Sequence, residues 1–371
     1  MNWENIISIS FSKSNNPLVF VSKFLSVFGI AVGCFSIITA LSIMNGFEKL
    51  IKNKIRGFEG DLRISGIFDE NKLNDFEDIL ERSTFIERKA IMEFSNEFSV
   101  LTFKAINMSK FEKVYDISYN GNRLKNGEVM VGKDLALRLG LDIGDNIFIY
   151  SPLDQTLGFG LPIKRKFIVG SIFSSNVIDY DNRYVFLTLF DGKKLFKRKL
   201  NGKSYDIRID DDLAFDEIKN KLYSKLGQNI KIDSWEDLNK SLVDAMKLEK
   251  LGITIVLSLI FFVASFNLAM NLSLNSLQNL KEIALLRALG ASKISIRKIV
   301  LYMGLKLSGI GICIGTLLSI IIVFFQSTYK FIPIPDTVYF VSYLPVDLEF
   351  KNIFLTLILS LTFSSITSYI L

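Results

Sequence analysis

Histidine is absent from this sequence. That removes Ser-His-Asp triads, imidazole metal sites and the HExxH zinc motif in one step. Cysteine is scarce: Cys34 and Cys313 are the two copies, both inside long apolar runs, so no disulfide framework holds the fold. Six prolines interrupt the chain, and Pro333, Pro335 and Pro345 cluster in one short stretch, which is therefore irregular but stiff. No internal repeat, low-complexity tract or flexible linker stands out.

Charge is missing from whole segments. Residues 24–46, 251–280, 307–329 and 352–371 contain no Asp, Glu, Lys or Arg. A helix needs about 20 apolar residues to cross a hydrocarbon core of about 30 Å. A charge at its centre costs about 2.5–3.5 kcal/mol. With 49% hydrophobic residues and a mean hydropathy of +0.33, four such runs define an α-helical membrane protein with four transmembrane helices. The first run starts after residue 23 and exceeds the apolar core of about 7–15 residues in a signal peptide, so it reads as a retained anchor.

The charges that are present set the topology. Lys281, Arg287, Lys293, Arg297 and Lys298 face a single Glu282 between 275 and 298, and Lys13 and Lys23 face Glu4 in the leader. Short basic segments stay in the cytoplasm, so the net charge of +6 reflects membrane orientation, not nucleic-acid binding. The expected partition is a cytoplasmic or interfacial leader (1–23), a first span (24–46), a large mixed α+β extracytoplasmic domain (47–250) and a second span (251–274). A cytoplasmic loop (275–298), a third span (299–325), a short outer loop (326–351) and a fourth span (352–371) complete this 1+3 arrangement. In the leader, Trp3, Ile6, Ile7, Ile9 and Phe11 suit the membrane surface.

Within the large domain, 128–152 predicts strand, short helix, Gly-Asp turn and strand, while 164–173 and 183–190 alternate as half-buried strands. Residues 204–235 predict strand–helix–strand, and a single helix is expected to run from Trp235 straight into the second span. At about 200 residues such a domain can bury its own core.

Candidate chemical motifs reduce to structure. Gly202-Lys203-Ser204 resembles the end of a P-loop, but Lys197 stands where the motif needs glycine. The carboxylates Asp179 and Asp181, and Asp210 to Asp212, fall at expected turns. Asn267, Asn271 and Asn275 share one helix face, where polar groups in lipid need a neighbouring helix or a water-filled path. Gly304, Ser308, Gly311 and Gly315 suit close helix packing.

The stretch KEIALLRALGASKISIRK (281–298) is the most informative. Lys281 to Leu289 are strong helix formers, with Glu282 at the dipole's positive end. Gly290 is placed to end that helix and Ser292 to cap the next. An amphipathic helix here suits either the membrane surface or a groove on a partner.

That segment, EIALLRALGAS, resembles the coupling helix of MacB-type (type VII) ABC transporter permeases, and the likeness extends over essentially the whole chain. IMNGFEKLIKNKIRGFEGDLRISG (43–66), VGKDLALRLGLDIGDNIFIYSP, GSIFSSNVIDYDNRYVFLTL and the WEDLN…LEK approach resemble the lipoprotein-releasing LolC/LolE group most closely. Two features depart from that group: LLRALGAS leans towards the macrolide-exporter form, and the usual basic tail after the fourth span is not seen beyond Leu371.

The resemblance implies a permease subunit, not itself an enzyme, that binds no cofactor directly; ATP and Mg would sit in a partner ATPase. Lipoproteins would leave the bacterial inner membrane by mechanotransmission, without passing through a channel. Implied partners are a cytoplasmic LolD-like ABC ATPase, a second permease subunit (paralogue or self), a periplasmic LolA-like lipoprotein chaperone, lipoprotein substrates and membrane lipids, with no nucleic acid. Glu282, Ile283, Leu286, Arg287, Gly290 and Ala291 would couple to the ATPase. Met44, Asn45 and Phe47 would border the lipid-anchor cavity, and Pro152, Phe159, Leu161 and Pro162 would form a chaperone-contact loop. Within the same superfamily, the alternatives are MacB-like export of an amphiphile or peptide, and FtsX-like regulation of a cell-wall hydrolase.

Overall fold

The computed structural model describes residues 4, 6–8, 17–76, 78–151, 164–196, 203–209, 215–227, 229–334 and 341–370. The chain divides into a bundle unit, 1–50 with 244–371, and a domain unit, 51–243.

Helix α1 (Pro17–Glu59, 43 residues) extends well beyond the uncharged run. At 1.5 Å per residue it is about 65 Å long. The extension follows from the helix formers Glu48 to Arg56, which replace apolar residues with charged ones without breaking the turn pattern.

The domain unit follows with β1 (Leu62–Gly66), β2 (Ile79–Phe94), β3 (Glu97–Ile106), β4 (Ser118–Gly121) and β5 (Glu128–Gly132). After β5 come α2 (Lys133–Leu139), β6 (Asn146–Tyr150), β7 (Lys164–Ser174), α3 (Ile178–Arg183), β8 (Tyr184–Thr188) and α4 (Leu189–Leu195). The unit ends with β9 (Lys203–Ile209), α5 (Phe215–Leu226), β10 (Ile230–Ser234) and α6 (Trp235–Leu238).

Two subassemblies share β2. Its second half pairs β3 and β6, and the ladder β2–β3–β8–β5–β7–β6 returns to β2, closing a six-stranded barrel. Inward residues such as Phe103, Val131, Ile147, Phe167 and Val185 fill it. The first half of β2 pairs β9, which continues through β1 to β10. Helix α5 covers that sheet with Ile218 and Leu222.

Local sequence explains the corners. Ser95 and Asn96 at φ 46° and 71° form the two-residue β2–β3 turn, a conformation Asn tolerates. Gly132 is packed so closely that a Cβ would lie 2.0 Å from the Asp181 carbonyl oxygen.

Three sequence expectations change here. The 183–190 strand is shorter: Arg183 ends α3, while Leu189 and Phe190 begin α4, which Thr188 caps by accepting from the Asp191 N–H. Asp179 and Asp181 lie on α3 and not in a turn, and buried Asp181 accepts from both the N–H and hydroxyl of Ser175. The expected single helix from Trp235 breaks at Asn239, whose amide Nδ2 turns back to the Trp235 carbonyl. Asp210 to Asp212 and Gly202 lie outside the described residues.

The bundle unit resumes with α7 (Lys240–Gln278), α8 (Leu280–Ala288), α9 (Lys293–Tyr329) and α10 (Phe350–Ile370). Helices α1, α7, α9 and α10 are each long and apolar enough to cross a membrane. Residues 275–298 are thus mostly helical, interrupted at Asn279 and at the turn before Lys293. Likewise α9 continues to Tyr329, four residues into the expected outer loop. That loop folds back through a bridge between Pro333 and Tyr343.

Candidate functional site

In the bundle unit, α8 is held between two defined breaks. Asn279 donates its amide to the Asn275 carbonyl (2.8 Å) and side-chain oxygen (2.9 Å). At the other end Gly290, at φ 95°, and Ala291 reach back to the carbonyls of Arg287 and Leu286, both at 3.0 Å. These paired bonds are a Schellman termination, which needs the left-handed residue that glycine supplies. Ser292 Oγ accepts from the Ser295 N–H at 3.1 Å and starts α9.

The orientation of α8 divides the six expected coupling residues between exposed and half-buried positions. Ile283 and Leu286 are half-buried, and Leu286 packs against the core of its own bundle. Leu286 therefore presents only part of its side chain outward. Leu285 (63% exposed) and Leu289 (78% exposed), one turn apart, point outward with Leu280, beside exposed Glu282 and Lys281. Arg287 is also exposed. Helical period alone could not separate Leu285 from Leu286, since both are apolar and adjacent.

Small residues bring the bundle helices into backbone contact. A Cβ on Gly315 would lie 2.3 Å from the Ala31 carbonyl oxygen, and one on Gly311 2.7 Å from that of Val27. Ser308 is buried on the same helix. Gly304 meets Ser368 of α10 equally tightly. The asparagine face of α7 lies against α1: Asn271 donates to Ser22 Oγ at 3.0 Å, and Ser26 donates to the Asn267 carbonyl at 3.0 Å.

At the MNGFE junction, Met44 and Asn45 are buried and Phe47 half-buried. A Cβ on Gly46 would stand 2.5 Å from the Pro345 carbonyl. The neighbouring residues are tied to the same loop by Asp347 N–H to Ser42 O (2.8 Å) and by the Lys49–Asp347 ion pair (3.2 Å). Glu48 pairs with Lys250 of α7 at 3.1 Å. The Asn45 amide is buried without a hydrogen bond among the described residues.

In the domain unit, the end of α1 meets a buried polar network that the sequence did not single out. Fully buried Lys104 and Asp206 pair at 2.6 Å. Asp206 also accepts from Arg63 Nε (3.0 Å) and the Tyr115 hydroxyl (2.9 Å). Burial alone would raise the Asp206 carboxyl, but the Arg63 and Lys104 cations outweigh it and hold the group below the usual carboxylate range. Asp61, also buried, bridges Arg56 (2.7 Å) and Arg208 (3.1 Å). Glu59 accepts from the Tyr180 hydroxyl and the Asn239 amide, each at 3.0 Å, so the last turn of α1 is bonded to the residue that precedes α7. Phe58 stacks on Tyr180 with ring centroids 4.0 Å apart. The available sequence signal was a lysine inside the apolar run Phe103–Ile106.

Pro152, Phe159, Leu161 and Pro162, expected to contact a chaperone, lie outside the described residues.

A polytopic helical bundle joined to a mixed α/β barrel domain defines the class. A family model for the MacB-like periplasmic core domain matches residues 23–224, and one for the FtsX-like permease C-terminal region matches 254–371. The chain belongs to the MacB-type permeases, as a multi-pass membrane protein carrying their periplasmic core domain. Relatives that it matches nearly end to end include LolC and LolE proteins. It is 24% identical to the lipoprotein-releasing system transmembrane protein LolC of Xylella fastidiosa (strain Temecula1 / ATCC 700964), over 96% of this chain and 92% of the relative. Identity to LolC of Buchnera aphidicola subsp. Schizaphis graminum is 29%, over 91% and 88%. Identity to LolE of Haemophilus influenzae is 24%, over 96% and 92%.

Proposed function

We infer that this chain is the permease subunit of a lipoprotein-releasing ABC transporter. The observation that carries the reading is the end-to-end likeness to LolC and LolE, spanning bundle and domain alike.

In this reading the N-terminus and α8 face the cytoplasm of a bacterium, the domain and the 330–349 loop face the periplasm, and the spans lie in the inner membrane as one plus three. A separate LolD-like ATPase supplies ATP hydrolysis, and the chain supplies no nucleotide site of its own. The ATPase seats on Leu285 and Leu289, with Glu282 and Arg287 setting register, while the Gly290–Ala291 turn fixes the helix ends. Two permease subunits pair, and the 152–162 loop hands lipoprotein to a LolA-like chaperone.

External energy is required because each buried CH₂ contributes about 0.8 kcal/mol. A triacylated anchor in lipid is therefore held by tens of kcal/mol, which hydrolysis and an apolar acceptor together offset. Since Met44 and Asn45 are buried, an acyl chain reaches them only when α1 parts from its neighbours. The unpartnered Asn45 amide then gains a partner in the lipoprotein's ester or amide carbonyls.

A photoreactive amino acid at Met44 tests this. Crosslinking to a triacylated lipoprotein in membranes, competed by unlabelled lipoprotein, is expected. Crosslinking to bulk lipid alone would remove the junction from the substrate path.

A further inference from the structure

The barrel wall contains a seam. Strand β8 pairs β3 only from Thr102 to Ile106, and residues 97–101 of β3 have no strand beside them on that side among the described residues. The tight β2–β3 turn sets which backbone groups face the gap. Phe94 and Glu97 flank the two-residue turn as its closing pair. In an antiparallel ladder hydrogen-bonded and non-hydrogen-bonded pairs alternate. The pairs Glu93–Phe98 and Ile91–Val100 are therefore non-hydrogen-bonded, and the N–H and C=O of Phe98 and Val100 point outward into the gap. Their side chains are 64% and 69% exposed.

This edge borders a cleft of about 750 Å³ that is also lined by Arg138 of α2, Asn182 and Arg183 of α3, and Tyr184, the first residue of β8. The cleft thus lies on the track β8 would occupy had it begun one turn earlier; the chain instead coils into α3. Lys89, Arg138 and Arg183 line it, and among the described residues no carboxylate does. Arg183 meets Asp179 at 3.5 Å, but both side chains are solvated, and such a pair holds its partners weakly.

We propose that this seam receives an extended acidic peptide segment of a second protein, which adds a strand to β3. The two outward N–H and C=O pairs supply the backbone ladder, as in strand addition generally. Phe98 and Val100 contact alternate apolar side chains, and the three cations contact the acidic ones. A second copy of this chain is a poor occupant, because pairing edge to edge would set three cations against three. The site is built from residues of the domain unit alone, and its test reads peptide binding without requiring lipoprotein release.

The experiment is fluorescence anisotropy with the full-length protein in nanodiscs and two labelled octapeptides, alternating Glu-Val and alternating Lys-Val. The Glu-Val peptide is expected to bind at least tenfold more tightly than Lys-Val. V100P removes one edge N–H while leaving the β2 ladder intact, and is expected to weaken Glu-Val binding at least tenfold. The R138E/R183E double variant changes only exposed side chains and is expected to reverse the peptide preference. Equal binding of the two peptides overturns the proposal, as does an R138E/R183E variant with unchanged preference. Concentration-dependent dimerisation lost in V100P, without peptide binding, also overturns it and assigns the edge to a second copy.

Discussion

At the residue scale, the energetics centre on groups that have no room or no water. Gly315 stands 2.3 Å, measured from an added Cβ, from a backbone oxygen of α1, and backbone cannot move aside as a side-chain tip can. G315A is expected to destabilise the bundle by about 1–3 kcal/mol, read as a lower unfolding temperature of the purified protein, while G309A, where the same Cβ meets open space, is expected to be neutral. Asp206 is the counterpart in the domain. D206N leaves buried Lys104 without its anion and Arg63 with only Glu87, 3.5 Å away, and breaking a buried pair costs about 3–5 kcal/mol. Because the folded Asp206 carboxyl is held below its ordinary value, its contribution is fully present above the unfolded pKa of about 4 and is lost as pH falls through the lower folded value. Stability of the wild type measured against pH should therefore fall on the acid side, and that limb should flatten in D206N.

At the element scale, α8 carries the sharpest expectation. L285D and L289D should each abolish co-purification with the ATPase while leaving the permease folded. L286D should instead lower the unfolding temperature, because Leu286 packs into the bundle. If L286D alone broke the association with stability unchanged, the assignment of faces on α8 would be reversed. This helix also shows what the sequence carries. Its C-terminal end and the start of α9 were readable, since Gly290 and Ser292 act through neighbours within five residues, whereas the break at Asn279 was not. The spans were readable for a similar reason: exclusion of charge from lipid is written into local composition. The Lys104–Asp206 pair was not, because its members lie far apart in sequence and the burial that makes it costly exists only after β3 and β9 take their places. Nor was the break at Asn239, where Glu59 is bonded from the far end of the domain.

At the scale of the whole molecule, α1 and α7 both continue past their uncharged runs, and the last turn of α1 is bonded to the residue before α7. If these helices transmit ATPase closure to the domain, helical continuity matters more than any one side chain. Inserting Gly-Gly-Ser-Gly after Lys52 is expected to preserve ATP turnover and reduce lipoprotein release at least tenfold; unreduced release would exclude transmission through α1.

Lipoprotein release is tested most directly by reconstitution with the ATPase in liposomes containing a triacylated lipoprotein, followed by addition of ATP and a LolA-like chaperone. Lipoprotein is expected in the soluble fraction, dependent on ATP and chaperone and absent with L285D. ATP turnover by an assembled complex with every lipoprotein molecule still in the membrane would contradict it.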